Sequence, residues 1–240
     1  MSRVGKFTSS QIYRLMSKGR GAFSIENTGK PFETYIQEKV WESKLGCQLD
    51  NETTARPTSW GNLMELFFFE KHLDIKWKEV HKERYEHPTL PWSGAPDMVS
   101  ETEVADVKSP YTLRSFCELS DMCAESVIAH ENLKEKKPEY YWQLVSNAIL
   151  AGVDDVALYI HGVERKYFNE VVDYAEAMVD NLNTYAWISF SQPEQLPLIP
   201  KESKYPAITN ISFTVPQEDK DLLTARVEMA AKILNEKLKA

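Results

Sequence analysis

The 240-residue sequence is poor in cysteine, with only Cys47, Cys117 and Cys123. Their odd number and wide spacing exclude a disulfide framework, a CxxC metal site and a Cys₄ iron–sulfur cluster within one chain. Thiols of a reducing, cytoplasmic compartment are expected. Nine glycines and twelve prolines are too few for a collagenous or low-complexity chain. No apolar run approaches the ~18–20 residues that cross a bilayer, so no membrane association is expected. Met1 to Lys6 is followed by no apolar segment of the secretory kind, and no leader is expected. His72, His81, His87, His130 and His161 show no HxH or HxxxH spacing, which argues against zinc. A Gly-x-Ser-x-Gly elbow and a phosphate-cradling P-loop are also missing. There is no excess of basic residues either: 28 Lys+Arg stand against 36 Asp+Glu, a net charge of −8. Such a chain does not coat polyanions by bulk charge. Any grip on one falls to local patches: Lys18/Arg20, Lys134/Lys136/Lys137 and Arg114.

Hydrophobic residues make up 42% and aromatics 11%, enough for one large core. Residues 8–18 read as a helix capped at Thr8, Ser9 or Ser10, with Ile12, Leu15 and Met16 inward. A second helix is expected over 32–45, with Ile36, Val40 and Trp41 inward and Gly46 as its stop. After a loop over 46–58, a third helix over 60–73 is apolar nearly all round, which makes Glu65 conspicuous. Residues 75–86 alternate loosely. Short strands are expected at 95–100 and 104–108, joined by Glu101-Thr102-Glu103. Residues 112–133 are expected to be mostly helical and 139–151 a helix, followed by a strand over 156–161 and one long helix over 166–190. Prolines 193, 197, 200 and 206 mark an irregular linker before an amphipathic helix over 217–239. The order implies a mixed α/β core with peripheral helices. Residues 1–190 are assigned to that domain, and 191–240 to a linker and C-terminal helix packed on it.

The chemistry concentrates in Pro96-Asp97 and Asp106-Val107-Lys108. Alternation on a strand points Asp106 and Lys108 to one face. A hairpin brings Asp97 beside them. Two carboxylates in one small volume repel unless a cation lies between them, and Mg²⁺ suits carboxylate and phosphate oxygens. The acid-x-Lys spacing recurs elsewhere, as at Glu42/Lys44 and Glu218/Lys220, so it carries weight only through its companions. These are Glu65 on a buried helix and Gln143, at the start of the helix opened by Tyr140-Tyr141-Trp142.

Gly61-x-x-x-Glu65, Gly94-Ala95-Pro96-Asp97, Val104-Ala105-Asp106-Val107-Lys108-Ser109-Pro110 and Tyr140-x-x-Gln143 together resemble the PD-(D/E)xK nuclease superfamily. More narrowly, they resemble its phage lambda exonuclease/YqaJ-type recombination exonucleases. Arg3-Val4-Gly5-Lys6-Phe7-Thr8-Ser9-Ser10-Gln11 is similar to that family's N-terminal Arg-x-Gly-x-x-(Thr/Ser)-Ala-Ser-Glu segment. The resemblance implies a restriction-endonuclease-like core, with a central mixed β-sheet flanked by helices and a C-terminal helical extension.

It further implies Mg²⁺, replaceable by Mn²⁺, on Asp97, Asp106 and the Val107 carbonyl, assisted by Glu65. Lys108 would orient or deprotonate the attacking water, Gln143 would assist, and Arg3 and Ser10 would hold a DNA 5′-phosphate. The implied activity is Mg²⁺-dependent hydrolysis of duplex DNA from 5′ ends in phage-type recombination. Its implied setting is a ring-shaped homotrimer beside a single-strand annealing protein, in the cytoplasm of a bacterial host, with a phage or prophage origin. An endonuclease or flap nuclease on the same core, or a non-catalytic nucleic-acid-binding module, are the alternatives.

Overall fold

The computed structural model describes residues 3–22, 24–49, 55–72, 77, 79–80, 84–125, 128–178 and 183–240. In chain order these form β1 (Phe7–Thr8), a 3₁₀ helix (Ser9–Met16), α1 (Lys30–Leu45), α2 (Arg56–His72), β2 (Glu79–Val80), β3 (Tyr85–Glu86), β4 (Trp92–Gly94), β5 (Met98–Val99) and β6 (Glu103–Lys108). There follow α3 (Leu113–Ala124), α4 (Ala129–Lys136), α5 (Pro138–Ala151), β7 (Asp155–His161), α6 (Phe168–Ala177), α7 (Ala186–Ser189), β8 (Ile208–Thr214) and α8 (Gln217–Lys239).

The five-stranded central sheet runs β2-β5-β6-β7-β8. β6 and β7 are parallel and the other neighbours antiparallel. Alternation divides its faces. Val104, Val156, Leu158, Ile160 and Ile211 meet Leu144, Val145 and Ala148 of α5 in the main core. On the reverse, Ala105, Val107, Ala157 and Met98 meet Phe68 of α2 and Trp77. The sheet is therefore packed between helices on both faces, the mixed α/β core that the sequence implied. A second, three-stranded sheet, β1-β4-β3, stands beside it and was not expected.

Local chemistry accounts for the helix limits. Pro31 and Pro138 lie in the first turns of α1 and α5, where a missing N–H costs nothing. Gly46 and Gly152 end the same helices at φ 74° and 73°. Thr112 Oγ1 caps α3 by accepting the Ser115 N–H at 3.1 Å.

Several expectations are corrected. The first helix is 3₁₀ and spans Ser9–Met16. Trp41 is 50% exposed, because the buried stripe of α1 passes through Phe32, Tyr35, Ile36, Lys39 and Val40 and leaves it on the outer side. α2 begins at Arg56, inside the expected loop. Residues 112–133, expected to be mostly helical, do form helix, as α3 and α4 with a break after Ala124. The single helix expected over 166–190 is also divided: α6 stops at Ala177, and Asn183 takes a left-handed φ of 51°, which a continuous helix does not admit. Residues 208–214, read within the irregular linker, form β8, paired with β7 along its whole length. His81 and much of 73–83 lie outside the described residues.

Candidate active site

β5 and β6 pair Met98 with Ala105 and Val99 with Val104. Extending that register by one residue sets Asp97 directly across from Asp106. Two hydrogen bonds fix the crossing. The Val107 N–H donates to Asp97 Oδ2 at 2.7 Å, and the Asp97 backbone amide hydrogen bonds the Asp106 carboxylate. Asp106 is fully buried and points to the α5 face, where Asn147 Nδ2 lies 3.4 and 3.3 Å from its two oxygens. Lys108, two residues on, shares that face, and its Nζ stands 5.7 Å from the Tyr140 ring centroid. Asn147 was missed in the sequence, although it lies four residues after Gln143 and hence on the same side of α5.

Burial opposes ionisation of the three acids. Asp106 is pushed up to about 7, first by burial and then by the charge of Asp97, against the pull of Lys108. Glu65, reaching in from α2, is pushed up to about 8 by burial and by Asp97 and Asp106, again against Lys108. Asp97 is also raised by burial, against Lys108 and the Val107 hydrogen bond. For Lys108, burial alone would favour loss of the proton. Asp106, Asp97, Tyr140 and Glu65 outweigh it, and the net shift is upward.

Two clefts reach this cluster. One, of about 300 Å³, is lined by Arg3, Ser10, Arg84, Ser93, Asp97 and Gln143 among others. The other, of about 210 Å³, is lined by Gly61, Glu65, Val107, Lys108 and Tyr140 among others. Asn62 borders both. The residues implied by the resemblance thus divide between two adjoining clefts: Arg3, Ser10, Asp97 and Gln143 in the first, Glu65, Val107 and Lys108 in the second, with Asp106 buried between the strands and α5. Two residues of the basic patches have acidic partners. Lys134 is paired with Asp219 at 2.6 Å, and Arg114 with Glu118 at 3.1 Å.

Asp97, Asp106 and the Val107 carbonyl offer oxygen alone, which suits Mg²⁺ or Mn²⁺. The two carboxylates are held together with their ionised forms disfavoured, a condition that a cation relieves. Among the described residues, no group of three His, Cys, Asp or Glu is placed to hold a metal ion. Glu65 is close enough to be shifted by both aspartates, but does not complete such a triad.

No family model matches the sequence, and no curated protein sequence matches it. Solved structures do share its fold. An alkaline exonuclease (LHK-Exo) from Laribacter hongkongensis, also solved in complex with dAMP, superposes with a TM-score of 0.58 at 14% identity, covering 99% of this chain and 91% of that one. A phage-related exonuclease from Haemophilus somnus superposes with a TM-score of 0.63 at 15% identity, over 98% and 95% of the two chains. The likeness extends over almost the whole chain and includes the C-terminal segment. Among the described residues, no helix is long and apolar enough to cross a membrane.

Proposed function

We propose that the protein is a divalent-metal-dependent deoxyribonuclease that hydrolyses duplex DNA from 5′ ends, leaving a 3′ strand for annealing in recombination. The observation that carries this reading is the meeting of Asp97, Asp106 and Lys108 on one hairpin, with Asp97 lining the cleft that also holds Arg3 and Ser10. The exonuclease folds of the superposed structures, and the nucleotide bound by one of them, support it.

Asp97, Asp106 and the Val107 carbonyl would hold the metal, with Glu65 assisting at its edge. When bound, such an ion polarises the phosphoryl group and acidifies a water. The chain supplies the rest. Lys108 keeps its proton on Nζ under the pull of the neighbouring carboxylates, so it acts as a cationic donor that orients the attacking water and offsets charge on the phosphoryl oxygens. Asn147 holds the buried Asp106 carboxylate in place. Gln143 presents an amide to the cleft for the DNA backbone, and Arg3 and Ser10 receive the terminal phosphate.

The test is digestion of one plasmid in linear and covalently closed form, with Mg²⁺ and with EDTA. Loss of the linear form alone, dependent on Mg²⁺ and absent in Asp106→Asn, is the expected result. Digestion of circles would replace the exonuclease reading with the endonuclease one. Inertness toward both forms with Mg²⁺ and with Mn²⁺ would overturn the enzyme reading.

A further inference from the structure

β6 and β7 run parallel with Lys108 beside Ile160, so one residue further on Ser109 lies beside His161. Alternation turns His161 to the α2 face of the sheet, with Ala157 and Tyr159. There Ser109 Oγ stands 3.2 Å from His161 Nδ1, and the Met64 backbone of α2 hydrogen bonds the same imidazole. The ring ties together two residues that each adjoin a member of the site: Ser109 follows Lys108, and Met64 precedes Glu65. The tie is well braced. From the turn of α2 after Met64, Phe67 stacks on the imidazole at 15° between planes and Phe68 meets it at 63°. The end of β7 is packed closely as well. A Cβ added at Gly162 would lie 2.5 Å from Ile199 and 2.6 Å from Phe116, and the Gly162 N–H donates to the Ala207 carbonyl at 2.8 Å. Packing alone does not call for histidine here. His161 is buried, and a leucine or phenylalanine would fill the place without the cost of desolvating a polar ring. What the imidazole adds is the pair of hydrogen bonds.

We propose that His161 is a positioning residue for the hydrolysis: by bridging Ser109 and Met64 it sets the separation of Lys108 from Glu65 across the second cleft, an inference that rests on the nuclease reading above. Glu65, Lys108 and Ser109 line that cleft, and His161 stands behind them and acts through its neighbours. Lys108 and Glu65 each feel the other's charge. Such coupling varies inversely with separation, and a group that orients the attacking water must meet it at hydrogen-bond distance. A small shift of α2 against β6 thus misplaces Lys108 relative to the water and draws Glu65 from the metal's edge. Asp97 and Asp106 stay fixed by their own hydrogen bonds. Arg3 and Ser10, in the other cleft, are untouched.

The experiment pairs steady-state hydrolysis of linear duplex DNA at saturating Mg²⁺ with calorimetric titration of Mn²⁺ at pH 8 in the absence of DNA. It compares the wild type with His161→Phe, His161→Gln, Ser109→Ala and the double variant of His161→Phe with Ser109→Ala. His161→Phe keeps the ring stack and removes both hydrogen bonds. Its kcat is expected to fall about tenfold, inside what a small misplacement costs, with KM for DNA within about twofold of the wild type. Its Mn²⁺ affinity should weaken about threefold, less than when the partner of a direct ligand is removed, and packing alone would not bring that change. His161→Gln, whose amide both donates and accepts, should recover part of each loss. Ser109→Ala reaches the same contact from the cleft and leaves the buried ring in place. It should lower kcat about threefold, the scale of one hydrogen bond. The double variant should be no slower than His161→Phe, whereas independent effects would multiply to about thirtyfold. An unchanged kcat in His161→Phe or in Ser109→Ala, an unchanged Mn²⁺ affinity in His161→Phe, losses that multiply, or a KM that rises as kcat falls overturns this inference alone. A wild-type protein that digests no linear duplex with Mg²⁺ or Mn²⁺ overturns the nuclease reading with it.

Discussion

Asp97 Oδ2 accepts the backbone N–H of Val107 at 2.7 Å, so the acid that precedes β5 is fastened to the strand that carries Asp106. The two carboxylates cannot drift apart to relieve their repulsion, and Lys108 offsets it only in part, so the fold pays for that closeness in stability.

Asp106→Asn is therefore expected to act in opposite directions on two properties. The amide keeps the shape and still meets Asn147, but it removes one of two buried like charges. In EDTA at pH 8 the variant should be more stable than the wild type, on the order of 1–3 kcal/mol, as expected when a carboxylate held above its ordinary range by burial gives way to a neutral amide. Divalent binding and DNA hydrolysis should both be lost. Urea melts in EDTA, with calorimetric titration of Mn²⁺, check the pair of effects. A variant less stable than the wild type under those conditions would show that the carboxylates are not in conflict.

Lys108→Ala separates chemistry from metal binding. Its Nζ is not a metal ligand, and removing it leaves Asp97, Asp106 and Val107 in place. Hydrolysis should fall by roughly 10²–10⁴-fold, the usual range for a positioned proton donor or acceptor. At pH 8, Mn²⁺ affinity should change by less than about threefold. Because Lys108 opposes the upward shifts of Asp106 and Glu65, the variant should also bind Mn²⁺ less well at pH 6 than at pH 8, more steeply than the wild type does. Rates on linear duplex and titrations at the two pH values test both parts.

The hairpin was legible because its signals are local. Strand alternation sets Asp106 and Lys108 on one face, and the short turn returns the chain to Asp97. Asn147 was equally within reach by helical spacing from Gln143, but an asparagine among apolar residues carries no signal until the sheet is seen beneath it. β8 was obscured by the prolines before it: Ile208 to Thr214 alternates, yet as an edge strand it buries only Ile211. Arg84 and Ser93 could not be placed at all. They line one cleft because two- and three-residue strands pair across the chain, and strands so short have no periodicity to read. Trp41 shows the converse error, since a large aromatic side chain on a helix need not lie on its buried stripe.

Stability without metal should fall as the solution becomes alkaline. Glu65 and Asp106 have folded values of about 8 and about 7, above the ordinary carboxylate range. Their contribution is fully present below that ordinary range, where both states are protonated, and is lost as pH rises through about 7 and about 8. In EDTA, the Asp106→Asn variant should lose less stability than the wild type between pH 5 and pH 9. Mg²⁺ should protect the wild type most at the alkaline end, where it no longer competes with protons. Thermal melts across that range, with and without Mg²⁺, give the slopes directly. Equal slopes for wild type and variant would remove Asp106 as their source.

His161 imposes the opposite dependence at acid pH. It is 2% exposed, with Phe67, Phe68 and His72 around its ring at centroid distances of 6.4, 5.3 and 5.6 Å, and Ser109 Oγ lies 3.2 Å from its Nδ1. Burial, then the nearby His72, lowers its folded value to about 3, against a hydrogen bond to the Met64 backbone. The unfolded chain takes up a proton below about 6.5 that the folded chain refuses. The contribution of His161 is thus intact above about 6.5 and declines as pH falls towards 3, by about 1.4 kcal/mol per pH unit at its steepest. His161→Phe keeps the ring packing and discards the titrating group, so its stability relative to wild type should rise as pH drops from 7 to 4. Ser109 follows Lys108 directly on the chain, so the same variant should leave Mn²⁺ affinity at pH 8 unchanged if His161 acts only through packing. Urea midpoints at pH 7, 5.5 and 4 decide it, and a constant difference between the two proteins would mean that His161 is not the group refusing the proton.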